Sequence, residues 1–218
     1  MEIPKYPVAT DSAVFTVIDN ELRILLIKRK HEPFKGLLAL PGGFLEEYDE
    51  SLDDCAAREL HEETGVKNIY LKMLHSYGNK KRDPRGRVIS IAYLALIRAE
   101  AVRLNTDKLN EGAAWVSFSE LREMAFDHRK IVKEALEKLR RELFRSNIAA
   151  QLLNEKFTLT EMQKTYEIIT GEPQDKRNFR KWVKHLDILK DVHEKKMEGI
   201  HRPAALYEFK QKKYFRFA

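Results

Sequence analysis

The stretch Pro41–Val66 decides the fold, and it reads PGGFLEEYDESLDDCAARELHEETGV. Residues 51–64 within it have helical spacing, with the small or apolar Cys55 and Leu60 on one side. Gly65 follows as the stop that a helix C-terminus favours. The stretch therefore predicts an amphipathic helix that is preceded by a glycine-containing turn.

The other side of this helix carries three carboxylates. Glu59, Glu62 and Glu63 fall at positions i, i+3 and i+4, so they share one face. Adjacent carboxylates repel one another unless a cation lies between them, and Mg²⁺ or Mn²⁺ favours such an oxygen cluster. Taken alone, the pattern fits a metal site and a solvated acidic face about equally well.

With its upstream residues, the helix resembles the Nudix signature. That signature is a glycine, five residues, Glu, seven residues, Arg-Glu, an apolar residue, any residue, Glu-Glu, any residue, and Gly with an apolar residue after it. The match runs from Gly43 through Glu50 and Arg58 to Val66. The resemblance implies an α/β/α sandwich around a mixed sheet, in a family that hydrolyses nucleoside diphosphates linked to another group.

The same resemblance implies roles for individual residues. Glu59, Glu62 and Glu63 would hold Mg²⁺ or Mn²⁺ and serve catalysis. Glu50 and Arg58 would form a supporting ion pair. Gly43 would let the backbone bend near the metal and its ligand.

One departure separates this chain from the signature. Six residues, not five, lie between Gly43 and Glu50, and Asp49 takes the place of the usual glycine before the glutamate. Metal-assisted attack by water depends on placement to within a fraction of an ångström, so the longer loop argues against catalysis. The intact carboxylates argue for it, and the sequence leaves hydrolase activity open.

A second charged feature is the loop RDPRGR at residues 82–87. Guanidinium groups pair bidentately with phosphate oxygens, so Arg82, Arg85 and Arg87 are candidates for binding a diphosphate ligand. A charged surface hairpin would carry the same residues. The segment resembles the corresponding loop of ADP-ribose-binding Nudix domains, which favours ligand contact.

The patterns along the chain predict two domains, 1–144 and 145–218. In the first, strands are predicted at 12–18, 22–27, 37–40, 68–75, 88–97 and 115–118, with a hairpin turn at 19–21 and a long helix at 127–144. In the second, short helices at 146–153, 160–170 and 176–186 precede strands at 188–192 and 205–209. Thr158 or Thr160 is the N-cap candidate of the second of these helices, and Asp175 that of the third. Three helices followed by a β-hairpin is the order of a winged helix-turn-helix domain.

The charge follows the same division. The chain has 40 Lys+Arg and 34 Asp+Glu, a net charge of +6. Residues 1–140 hold 23 of each sign, whereas residues 141–218 hold 17 basic and 11 acidic residues. The excess in the last third indicates a module that meets an anionic partner, although a solvated basic surface fits the charge alone equally well.

The helix at 176–186, KRNFRKWVKHL, concentrates this charge on one face. Its apolar residues follow the i, i+3, i+4, i+7 spacing of a narrow core face. The opposite face presents side chains that read guanine, adenine and phosphate in a major groove, namely Lys176, Arg177, Asn178, Arg180, Lys181 and Lys184. DNA binding is therefore favoured over an ordinary basic surface.

Residues 157–163, 175–181 and 202–207 resemble the winged-helix module of Nudix-related transcriptional regulators of the NrtR type. In that group, which has arabinose-sensing relatives, a Nudix domain commonly senses ADP-ribose and a dimer binds a palindromic operator. The resemblance implies that Lys195, Lys196 and Arg202 lie on the wing near phosphates. It implies a ligand-responsive regulator that binds double-stranded DNA as a homodimer. The alternative is an active, Mg²⁺-dependent hydrolase of the ADP-ribose pyrophosphatase type.

Composition limits the setting. One cysteine excludes a disulfide framework. No apolar run approaches the ~20 residues that span a bilayer, and the N-terminal MEIPK lacks the layout of a signal peptide. We expect a soluble cytoplasmic protein with no membrane partner.

Overall fold

The structure is a computed structural model that describes residues 3–67, 69–98, 112–197, 203–211 and 213–217. The chain divides into two compact units. The first contains the described residues of 1–16, 23–97 and 101–138, and the second those of 17–22, 98–100 and 139–218. The domain limits 1–144 and 145–218 stay a prediction.

The first unit is built on a seven-stranded sheet. Its strands are β1 (Val8–Ile18), β2 (Glu21–Lys28), β3 (Leu38–Ala39), β4 (Gly42–Phe44), β5 (Tyr70–Tyr77), β6 (Ile89–Leu96) and β7 (Ala113–Ser117). The order across the sheet is β3-β2-β1-β6-β5, with β4 paired to β1 and β7 paired to β2. Strands β1 and β6 are parallel, whereas β5 is antiparallel to β6 and β7 to β2. The sheet is mixed, as predicted.

Local sequence explains the central strands. Asp19 and Asn20 adopt positive φ values of 52° and 61°, the backbone of a tight hairpin turn between β1 and β2. Strands β1 and β6 are buried along nearly their whole length, as strands covered on both faces are. Strand β4 was not predicted, because a Gly-Gly pair is a poor strand former.

Among its described residues this unit also contains helix α1 (Leu52–Thr64) and the larger part of α2 (His128–Leu143). The apolar side of α1 packs on the sheet, where Leu60 joins a cluster with Val14 and Leu25, and Ala56 joins one with Tyr93. Helix α2 is continuous across the division between the units, which falls after residue 138.

The second unit has the predicted winged-helix order. It contains a 3-10 turn (Ile148–Gln151), β8 (Phe157–Thr158), α3 (Leu159–Thr170), α4 (Lys176–Leu186), β9 (Leu189–Lys196) and β10 (Ala204–Phe209). The sheet order is β8-β10-β9. The predicted helix at 146–153 is wrong in type. It is a single 3-10 turn, and the Asn147 N–H that precedes it donates to Phe215 O at 3.1 Å rather than to a helical carbonyl.

The caps of α3 and α4 follow the predicted signals. Thr158 Oγ1 accepts from Glu161 N at 3.1 Å while the Glu161 carboxylate accepts from Thr158 N at 2.7 Å. Asp175 caps α4 by accepting from Asn178 N at 2.8 Å. Within the described part of the chain, no helix is long and apolar enough to cross a membrane.

Candidate functional site

Helix α1 is positioned by its two ends. At the N-terminus Ser51 Oγ accepts from Asp54 N at 3.1 Å, and at the C-terminus Gly65 adopts a left-handed conformation with φ of 75°. Because the apolar side of α1 is fixed on the sheet, the side of Glu59 and Glu63 must face the loop at residues 42–49.

Arg58 binds this loop through Asp49. Its Nε and Nη2 atoms donate to the two carboxylate oxygens of Asp49, each at 2.8 Å. This bidentate bond holds the pKa of Asp49 well below its usual range and raises that of Arg58. The predicted Glu50–Arg58 ion pair is therefore wrong in its carboxylate. Asp49 follows Gly43 after five residues, as the glutamate of the Nudix signature does, so the extra residue lies behind the carboxylate and leaves Glu50 exposed.

Two glycines bring the loop close to the helix carboxylates. A Cβ atom at Gly43 would lie 2.3 Å from the Glu59 carboxylate, so a larger residue here would displace that carboxylate. The neighbouring Gly42 N donates to Glu63 Oε2 at 2.8 Å. The predicted approach of Gly43 to the carboxylate helix is present, and it acts through Glu59.

Burial perturbs two of the three carboxylates. It raises the pKa of Glu63 to about 7, although the hydrogen bond from Gly42 opposes the rise. Burial also raises the pKa of Glu59, against the opposing effect of Arg58. Glu62 is exposed. Two of these carboxylates would therefore gain from a cation beside them.

The carboxylates do not form a ready metal site in this arrangement. Among the described residues, no three His, Cys, Asp or Glu side chains group closely enough to hold a metal ion. Arg58 Nη1 lies 2.7 Å from Glu59 and 3.3 Å from Glu62, so the guanidinium already neutralises these two. The assignment of Glu59, Glu62 and Glu63 as metal ligands stays a prediction.

A cavity of about 210 Å³ opens beside this loop. Its wall combines the glycine turn with cationic and aromatic side chains, among them Gly42, Gly43, Phe44, Arg29, Arg85 and Phe126. The guanidinium of Arg29 lies 4.8 Å from the centroid of the Phe126 ring, and that of Arg85 lies 5.6 Å from Phe44. Burial and the nearby Arg85 lower the pKa of Arg29. The cavity is thus suited to an anionic ligand that also carries a planar ring.

The three predicted arginines of the loop at 82–87 do not act together. Arg85 lines the cavity and is oriented by a bidentate bond to Asp83, at 2.8 and 3.1 Å. Arg87 is exposed, does not line this cavity, and lies over the Tyr6 ring at 5.5 Å. The expected three-arginine clamp is wrong for Arg87, whereas Arg82 and Arg85 both line the cavity.

Arg82 is also part of a buried network of ion pairs. Its Nη2 donates to Asp127 at 2.9 Å and to Asp11 at 3.1 Å, with only 5% of the side chain exposed. His128 Nε2 lies 3.3 Å from Asp11, and His128 Nδ1 accepts from Leu40 N at 2.9 Å. Burial alone would raise the pKa of Asp11, but His128, Ser90 and Arg82 together lower it to about 2. Arg82 therefore supports the cavity wall and has two carboxylate partners of its own.

Several cavity residues belong to no recognisable sequence pattern. Arg29 stands just after β2, whereas Phe126 and His128 stand at the start of α2. No motif joins them, and only the pairing of the strands and the packing of α2 bring them to one wall. Arg29 is thus an unpredicted third arginine in the cavity wall, beside Arg82 and Arg85.

The second candidate site is the outer face of α4. Its inner face is anchored by Phe179 and Val183, each 4% exposed. The six predicted DNA-binding side chains are all exposed, and none forms an ion pair with another described residue; they are Lys176, Arg177, Asn178, Arg180, Lys181 and Lys184. The structure therefore brings them together on one surface.

The predicted wing residues have different surroundings. Lys195 is exposed at the end of β9. Lys196 Nζ lies 2.6 Å from Glu161 Oε1, which is also part of the α3 capping box. Arg202 lies outside the described residues. Of the three, Lys195 best keeps its charge available to a phosphate.

Comparisons with known families and proteins agree with this division. Residues 9–135 match the NUDIX domain family, and residues 149–209 match the NrtR DNA-binding winged helix domain family. The chain is 36% identical to the ADPR responsive transcriptional repressor NtrR of Acinetobacter baylyi, over 98% of this chain and 86% of that protein.

Solved structures of NrtR proteins are also similar to this chain. The crystal structure of Shewanella oneidensis NrtR complexed with a 27mer DNA matches with a TM-score of 0.84 and 35% identity, over 93% of both chains. The NUDIX domain of the same protein complexed with ADP ribose matches with a TM-score of 0.57 and 33% identity, over 63% of this chain and 90% of that one.

Proposed function

Because the chain belongs to the family of Nudix-related transcriptional regulators of the NrtR type, we propose that its two units divide sensing and DNA binding. The Nudix unit binds ADP-ribose or a related metabolite, and the winged helix binds double-stranded operator DNA. The observation that carries this proposal is the exposed basic face of α4, whose side chains form no ion pair with another described residue, in a chain whose other unit holds a cavity lined by arginines.

The cavity supplies the groups that ADP-ribose requires. Arg29 and Arg85 offer guanidinium donors to a diphosphate, and Phe44 and Phe126 offer ring surfaces to an adenine. A Cβ atom at Gly42 would meet the Thr10 carbonyl oxygen at 2.0 Å, so the backbone of this wall can lie this close only with glycine. The chemistry favours a nucleoside diphosphate over a neutral sugar such as arabinose.

A calorimetric titration with ADP-ribose tests the cavity. Arg29→Ala and Arg85→Ala should each weaken binding by about tenfold to a hundredfold, the loss expected of a charged hydrogen bond. Arg87→Ala is the matched control, since Arg87 lies outside the cavity, and should bind as the unaltered protein does. Equal effects of all three would contradict the site.

An electrophoretic mobility shift on the chain's own upstream DNA tests the regulator. The double variant Arg180→Ala/Lys181→Ala should lose the shifted band at physiological salt. The matched control is Arg129→Ala/Lys133→Ala, which removes the same charge from exposed positions on α2. Weak, sequence-independent binding by the unaltered protein would contradict the proposal.

Three finer points belong to the same proposal. The protein acts in the cytoplasm as a homodimer, whose two-fold symmetry would match a palindromic operator. Ligand binding shifts the population between dimer arrangements, and hence the spacing of the two recognition helices. A divalent cation such as Mg²⁺ accompanies the ligand through the α1 carboxylates.

A second candidate function is hydrolysis of the ligand. The carboxylate face of α1 favours it, whereas the contacts of Arg58 with Glu59 and Glu62 oppose it. Activity would appear as Mg²⁺-dependent release of AMP from ADP-ribose that Glu62→Gln abolishes. No turnover over a panel of nucleotide sugars and dinucleotides would remove this candidate.

A further inference from the structure

The C-terminal residues 213–217, which we call the C-terminal clasp, are bound to a buried asparagine. Asn147 is fully buried, and its Nδ2 donates to Gln211 O at 3.1 Å and to Lys213 O at 3.0 Å. Its Oδ1 accepts from Phe215 N at 2.8 Å. Every polar atom of the Asn147 side chain is therefore used to hold the clasp and the residues just before it.

The clasp also neutralises a buried carboxylate at the end of α2. Glu142 is 3% exposed, and its Oε1 accepts from Arg216 Nη2 at 2.8 Å. The Tyr214 hydroxyl donates to Oε2 of the same carboxylate. Such partners stabilise a buried charge, so Glu142 and the clasp support each other.

The last residue of the clasp reaches the helix that carries the basic face. Phe217 N donates to Arg145 O at 2.8 Å, and the Phe217 ring lies 6.3 Å from Trp182 in an edge-to-face arrangement. On its other sides the ring centroid of Trp182 lies 5.7 Å from that of Phe144 and 5.6 Å from that of Phe179. Trp182 of α4 is thus held between the end of α2 and the clasp.

We propose that the C-terminal clasp is a positioning element for DNA recognition. It fixes the orientation of α4 against the end of α2, so that the exposed basic face meets the groove at one angle. This inference rests on the proposed DNA-binding function. Base contacts need such placement because their hydrogen bonds are directional, whereas the attraction of charges to phosphates tolerates a looser helix.

Phe217→Ala tests the clasp without changing any charge. In fluorescence-anisotropy titrations, affinity for the operator should fall by about tenfold, as for one lost base contact. Affinity for a duplex of random sequence should stay unchanged, because charge sets it. Phe217→Leu should restore most of the operator affinity. Met73→Ala is the control, an apolar truncation at an exposed position of β5 in the other unit.

The two affinities separate the outcomes. An equal loss of affinity for both duplexes would show that the module no longer folds around α4, and it would overturn a positioning role. Unchanged affinity for both duplexes would overturn it as well. If the unaltered protein bound neither duplex, the proposed function would fail. Amide hydrogen exchange in α4 would then decide the clasp alone: faster exchange in Phe217→Ala than in Met73→Ala supports it, and equal exchange overturns it.

Discussion

Helices α1 and α4 are both amphipathic and both densely charged, but their charges have different partners. On α1, Arg58 binds Asp49 and Glu59, and Glu63 accepts from Gly42. On α4, the basic side chains extend into solvent, and none has an ion-pair partner among the described residues. The charged side chains of α1 are bound within the protein, whereas those of α4 remain exposed to a partner.

The difference follows from what each site must bind. A small ligand is held by groups that are already fixed in place, which requires a supporting network such as Asp11, Arg82 and Asp127. DNA is bound largely by charges that displace its counterions, and such charges act best when exposed.

Of the substitutions that test this difference between the two helices and their surroundings, Arg82→Met should lower the free energy of unfolding most. It leaves the buried Asp11 without its guanidinium partner, and breaking a buried ion pair costs about 3–5 kcal/mol. Urea denaturation measures the loss. Arg87→Met is the control, because Arg87 is exposed and contacts Tyr6. Similar losses of stability in the two variants would contradict the view that Arg82 stabilises the fold and Arg87 does not.

Glu63 should make stability depend on pH. Its pKa is raised from 4.5 to about 7 in the folded chain, so its stabilising contribution is fully present below about pH 4.5 and is lost as the pH rises through 7. The loss is about 3 kcal/mol in buffer with a chelator. Glu63→Gln should remove this decline, whereas Glu47→Gln, at an exposed position, should keep it. An unchanged decline in Glu63→Gln would refute the assignment.

Gly43→Ala should cost about 1 kcal/mol, at the low end of overpacking costs, because the added Cβ would displace the flexible Glu59 carboxylate from 2.3 Å away and weaken its bond to Arg58. It should also weaken ADP-ribose binding, since the loop lines the cavity. Gly78→Ala is the control, with Ile89 Cγ1 at an ordinary 3.8 Å. Thermal unfolding and calorimetry check both effects, and full retention of stability in Gly43→Ala would argue against the close approach.

Lys181→Ala should have the smallest effect on stability, within about 0.5 kcal/mol, because the side chain is exposed and unpaired. It should instead weaken DNA binding and reduce the slope of log K against log [salt] by about 1. Binding measured from 50 to 200 mM salt tests this, with Lys133→Ala as control. An unchanged slope would place Lys181 away from phosphate.

The sequence predicted the features that are encoded locally. The Asp175 cap involves neighbouring residues, so local composition suffices to locate it, and for α3 composition narrows the cap to Thr158 or Thr160. The Asp49–Arg58 pair was missed because the match to the signature relied on residue type, which selects Glu50, although Asp49 has the signature's spacing from Gly43. Arg29 and His128 were missed because only sheet pairing and the packing of α2 bring them to the cavity.

The most direct test of the division between the two helices is a titration of labelled operator DNA with the unaltered protein, repeated at rising ADP-ribose concentration. We predict sequence-specific binding whose dissociation constant shifts with ADP-ribose and reaches a plateau when the cavity saturates. Arg85→Ala should move that shift to higher ADP-ribose concentration without changing DNA affinity in its absence. Binding that is independent of both DNA sequence and ADP-ribose would contradict the account.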